Sequence, residues 1–76
     1  MILKQTIEAI ANKHLTNSGL KLVEVSVSDD NEIEVIIGKD GGGVSIDDCV
    51  ALSRFIESQL DRDKEDFSLM VGSSGI

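Results

Sequence analysis

The sequence contains no proline, tryptophan or tyrosine, and only two phenylalanines, one cysteine and one histidine. With no proline, 41% hydrophobic residues and 28% charged residues, the composition is that of a folded chain and not a disordered one. A single cysteine excludes an internal disulfide. One histidine with no cysteine pair offers no metal-ligand spacing, so His14, near the end of a helical stretch, reads as a helix-terminal residue favoured by the helix dipole. No stretch resembles a signal peptide or an apolar run long enough to span a bilayer, and a reducing cytoplasmic location is the default expectation. Two phenylalanines leave little for stacking on bases.

Basic residues are also scarce. Residues 1–28 carry three lysines against two glutamates, a balance of +1, whereas residues 29–76 carry four cations against twelve carboxylates, a balance of −8, which together give the net −7. Nucleic-acid binding draws on cation release by clustered Lys and Arg, so direct RNA contact is disfavoured and a basic protein is the natural partner.

The chain of 76 residues makes one domain, small enough to bury only about 60% of the surface that its unfolded chain exposes. From 3 to 15 the apolar residues Leu3, Ile7, Ile10, Ala11 and Leu15 recur at helical steps, and Asn17-Ser18-Gly19 ends the helix. Residues 20–28 alternate with Val23, Val25 and Val27 on one side and Leu22, Glu24 and Ser26 on the other, a half-buried strand. Asp29-Asp30-Asn31 is a polar turn into a second strand over 32–37, with Ile33, Val35 and Ile37 inward.

Three glycines, Gly41 to Gly43, turn the chain into a second helix running from 46 to about 60. Ser45 and Asp48 form a variant capping box, with Val44 and Cys49 at the positions of a hydrophobic staple. The expected buried stripe is Ile46, Cys49, Val50, Ile56 and Leu60, with Leu52 at its edge and Phe55 on the opposite side. A charged loop over 61–66 leads to a third strand in which Phe67, Leu69 and Val71 alternate with Ser68 and Met70.

The order α-β-β-α-β implies an α+β fold, a two-layer sandwich with both helices on one face of a three-stranded sheet. The other face is expected to show Leu22, Ile36 and Met70 among Glu24, Ser26, Glu34 and Ser68, which reads either as the ordinary scatter of apolar residues on a surface or as a docking patch. No catalytic constellation is visible. Ser73 and Ser74 lack a base, and Asp61, Asp63, Glu65 and Asp66 lack the glycine and terminal glutamate of a calcium loop. Gly38-Lys39-Asp40-Gly41 matches the GxxG loop of KH domains, but it follows a strand and carries an aspartate that would repel phosphate. The glycine corner before the second helix suits an anion only weakly, because Ser45, Asp47 and Asp48 occupy that helix end.

The segment V-I-I-G-K-D-G-G-G-V-S-I-D-D-C-V-A-L-S-R, residues 35–54, resembles the N-terminal domain of the ribosome maturation factor RimP family. That family carries G-V-[ST]-[LI]-D-D-C with an S-R pair, here Gly43 to Cys49, Ser53 and Arg54. A G-[LY]-x-L-V-x-V strand is matched by Gly19 to Val25, and the closing V-S-S-P-G-[LI] appears without its proline as Val71-Gly72-Ser73-Ser74-Gly75-Ile76. The resemblance implies one domain over 1–76, with the family's C-terminal β-barrel absent from this chain. It further implies a non-enzymatic factor for maturation of the small (30S) subunit, with the immature subunit and a basic ribosomal protein as partners, and neither cofactor, small-molecule substrate nor membrane. The alternative is a KH-like RNA-binding module. For partner contacts the candidates are Asp29, Asp30, Glu34, Asp61, Asp63, Glu65 and Asp66 as charges, and Ile36, Met70 and Phe55, on the outer side of the second helix, as apolar anchors.

Overall fold

A computed structural model describes residues 2–16, 18–39, 41–60 and 66–73. The elements are α1 (Lys4–Leu15), β1 (Leu20–Val27), β2 (Glu32–Lys39), α2 (Ile46–Gln59) and β3 (Ser68–Ser73). The expected α-β-β-α-β order is therefore present. The sheet order is β1-β2-β3, with β1 and β2 antiparallel and β2 and β3 parallel. Ile33, Val35 and Ile37 of the central strand are buried, and α1 and α2 both pack over that side, α1 against β1 and α2 against β3. The core joins these to Ile2, Ile7, Ala11, Leu15, Val25, Leu52, Ile56 and Phe67.

Three local devices fix the ends of these elements. Ser45 Oγ accepts from the Asp48 N–H (3.1 Å) while Asp48 Oδ2 accepts from the Ser45 N–H (3.2 Å), the reciprocal capping box that the sequence suggests. Val44 and Cys49 are half-buried against the core beside it. At the other helix, α1 begins after Leu3, which is exposed and has no side-chain cap, while Ile2 before it is buried. Its end is closed by Ser18, whose hydroxyl donates to the Leu15 carbonyl (2.6 Å) and accepts from the Leu20 N–H (3.1 Å), and by Gly19 at φ +80°.

Two expectations about burial require correction. A β-bulge falls between Leu22 and Glu24, so Val23 has no partner on β2. One extra residue shifts the period-two alternation by one. Leu20 and Leu22 therefore face the core together with Val25 and Val27, and Val23 is 49% exposed; Leu22 does not belong to the open face. In α2 the buried stripe is centred on Leu52 and Ile56, with Cys49 and Leu60 half-buried, whereas Ile46 and Val50 lie outside it. The helix carries a wider apolar arc than the core uses, because α1 packs against one of its flanks and rotates the stripe away from Ile46.

Candidate interaction surface

The sheet face turned away from the helices is built by the residues that alternate with the core positions. Register places Glu24 opposite Ile36, Ser26 opposite Glu34, Glu34 beside Met70 and Glu32 beside Ser68. Glu24, Glu32, Glu34, Ser26 and Ser68 are exposed, Met70 is 60% exposed and Ile36 is half-buried. Ile36 packs over β3 beside Gly72; its Cδ1 lies 3.5 Å from the point a Cβ on that residue would occupy, an ordinary contact distance. The result is a small apolar centre, Ile36 and Met70, with three glutamates near it and the exposed Lys21, opposite Gly38, at the end of the face away from Asn31. A groove of about 400 Å³ crosses one end of this face between Ser26, Ser28, Glu32, Glu34, Ser68 and Met70.

That end is organised by Asn31. The loop Asp29-Asp30-Asn31 closes with the Asn31 N–H donating to the Ser28 carbonyl (3.0 Å) and the Ser28 N–H donating to the Glu32 carbonyl (3.0 Å). Ser28 Oγ accepts from the N–H groups of Asp30 and Glu32. Asn31 itself sits at φ +59°, as the last residue of a three-residue hairpin loop commonly does. Its side chain then ties three segments together. Oδ1 accepts from the Ile2 N–H (3.0 Å), Nδ2 donates to the Asp66 carbonyl (3.1 Å), and its own carbonyl accepts from the Ser68 N–H (3.0 Å). Asp66 is thereby held near Asp29 and Asp30, and all three are exposed. Asp66 Oδ1 also accepts from the Phe67 N–H (3.0 Å).

Of the candidate contact residues, Asp29, Asp30, Glu34, Ile36, Asp66 and Met70 thus converge on the open face and its rim. Asp61, Asp63 and Glu65 lie outside the described residues, as do Asp40 and Ser74. Phe55 is not on an outer face. It is half-buried, its ring 5.0 Å from that of His14, and it closes the seam between α2 and α1. Glu32, which shares the parity of Glu34 and Ile36, and Asn31, whose role depends on contacts 29 and 35 residues away, complete the surface.

The remaining motifs contribute no site. Gly38 and Lys39 belong to β2, with Gly38 buried, so the GxxG segment begins inside a strand and not in a loop between helices. Among the described residues no group of three or more His, Cys, Asp or Glu is placed to hold a metal ion, and no helix is long and apolar enough to cross a membrane.

The family model described as the RimP N-terminal domain matches residues 10–76. A ribosome maturation factor RimP from Porphyromonas gingivalis is 47% identical over 76 residues, which cover all of this chain and 49% of that protein. The corresponding protein of Christiangramia forsetii is 41% identical, covering 99% of this chain and 49% of the relative, and that of Flavobacterium psychrophilum is 32% identical over 77 residues. The chain spans about half the length of these curated relatives. With its strand, glycine corner, capped helix and sheet all within the matched region, the chain belongs to the RimP family and corresponds to its N-terminal domain.

Proposed function

We propose that this domain is a non-enzymatic module of a ribosome assembly factor, acting in the cytoplasm on the immature small (30S) subunit by holding a basic small-subunit ribosomal protein. One observation carries the reading: the sheet face left uncovered by the helices presents Ile36 and Met70 encircled by Glu24, Glu32 and Glu34, with Asp29, Asp30 and Asp66 at its rim. A face on which Glu24, Glu32 and Glu34 outnumber Lys21 around a small apolar centre suits a cationic protein surface. Charges at the rim steer and accelerate encounter, while apolar anchors slow dissociation. The same carboxylates repel a phosphate backbone. The relatives' name, ribosome maturation factor, supports the choice of partner class.

The test is a binding panel of purified small-subunit ribosomal proteins against ribosomal RNA fragments, using the wild-type domain and Met70→Ser. Capture of at least one basic protein, weakened by the serine, is the expected result. Tighter binding of RNA than of any protein would replace the reading with a KH-like one.

A further inference from the structure

We infer that the free edge of β3 is a second contact element, which takes an extended peptide segment of alternating apolar and Lys/Arg residues as a fourth strand. The inference rests on the proposed role of the domain as a binder of basic protein, and it adds the conformation and pattern of the bound segment. Among the described residues β3 pairs only with β2, in continuous parallel register from Ser68 to Ser73. An unpaired strand edge is a template for another chain, and proteins usually blunt it with charge, proline or a bulge. The opposite edge, β1, shows such devices: Lys21, Glu24 and the bulge at Val23. β3 has none of them. Its sequence, Ser68-Leu69-Met70-Val71-Gly72-Ser73, carries no charge, no proline and no irregularity of register.

Both sides of that edge are prepared for alternate side chains. On the helix side, Phe55 turns toward α1 through His14, so Ile46 and Val50 lie on the flank of α2 away from α1. They are 81% and 43% exposed, one helical turn apart, and with Cys49, Val71 and Gly72 they form the apolar part of a groove of about 660 Å³ between α2 and β3, which Arg54 and Glu57 also line. On the open side, Glu32 and Glu34 stand on β2, about 10 Å from an added strand by two strand spacings. A Lys or Arg side chain crossing over Ser68 or Met70 spans that interval. Successive residues of a strand point to opposite faces, so apolar residues would settle on Ile46 and Val50 while the intervening cations meet the glutamates. Main-chain hydrogen bonds supply the affinity and the alternation supplies the specificity.

The test uses a synthetic peptide of about nine residues alternating valine and lysine, a blocked-order peptide of the same composition, and two peptides N-methylated at alternate residues in the two phases. Binding is followed by titration, and β3 by amide hydrogen exchange. The alternating peptide should bind, slow exchange in β3, and lose affinity roughly tenfold or more with one N-methylation phase and with Val50→Lys, a change at an exposed position that leaves the fold intact. Equal affinity of the blocked-order peptide or of both N-methylated peptides, or unchanged β3 exchange at saturation, would overturn the edge as a contact. If whole ribosomal proteins still bind but ignore Val50→Lys, the edge inference fails and the proposed function stands. If the peptide binds in this way and no ribosomal protein does, the edge is real and the assembly role is wrong.

Discussion

Asn31 concentrates more of the structure than its place in a polar turn suggests. Its left-handed backbone costs an asparagine little, and its amide links the chain start, the hairpin and the entry to β3. Replacing it with alanine removes two hydrogen bonds and strains the turn, and should destabilise the domain by about 2–3 kcal/mol. Glycine at the same position keeps the backbone relaxed and should cost about 1–2 kcal/mol. Urea denaturation of the two variants separates the contributions, and identical midpoints would mean that the backbone conformation is unimportant. At the α2 cap, Ser45→Ala loses the hydroxyl that accepts from Asp48 and should cost about 1 kcal/mol in the same assay. In the glycine corner only Gly41 has positive φ, at +75°, and Gly42 does not need a glycine's freedom. Gly41→Val should therefore lower the midpoint clearly, by about 1–2 kcal/mol, and Gly42→Val should lower it less.

The elements were legible from sequence wherever one local signal acted alone. The alternation of Ile33, Val35 and Ile37 and the Ser45–Asp48 box needed no distant partner to be recognised, and both stand as read. What escaped was set by packing. Nothing in Leu-Lys-Leu-Val-Glu-Val announces a bulge at Val23, since a valine fits either side of a strand; only pairing with β2 decides that Leu22 and Val25 both turn inward. Likewise the apolar arc of α2 allowed two rotations, and the seam with α1 at His14 and Phe55 selected one. These assignments separate two valines two residues apart. Val23→Thr should stay within about 0.5 kcal/mol of wild type, as exposed substitutions do, whereas Val25→Thr buries a hydroxyl in the core and should cost about 1–3 kcal/mol by thermal or chemical unfolding.

For the molecule as a whole, part of the acid excess after residue 28 gathers on one side: Asp29, Asp30, Glu32, Glu34 and Asp66 lie on the open face and its rim, while Asp47, Asp48 and Glu57 belong to α2. Helices cover one face of the sheet, and the other face with its Asn31 end gathers acids from β1, β2, the hairpin and the start of β3. The excess of carboxylates after residue 28 was evident in the sequence, as were Ile36 and Met70 among them. Their convergence depended on strand order and on Asn31 drawing Asp66 to the hairpin, neither of which a single chain segment encodes. The inverse holds for Phe55, whose aromatic ring suggested an anchor until the partner helix claimed it. The most direct measurement is the kinetics of a surface-bound domain with purified basic small-subunit ribosomal proteins across a salt series, for wild type, the double variant Glu32→Lys with Glu34→Lys, and Met70→Ser. The charge reversal should slow association and flatten its salt dependence, while the serine should speed dissociation with association nearly unchanged. If both variants keep wild-type kinetics, or if ribosomal RNA alone binds more tightly than every protein at low salt, the open sheet face is not a protein-docking surface.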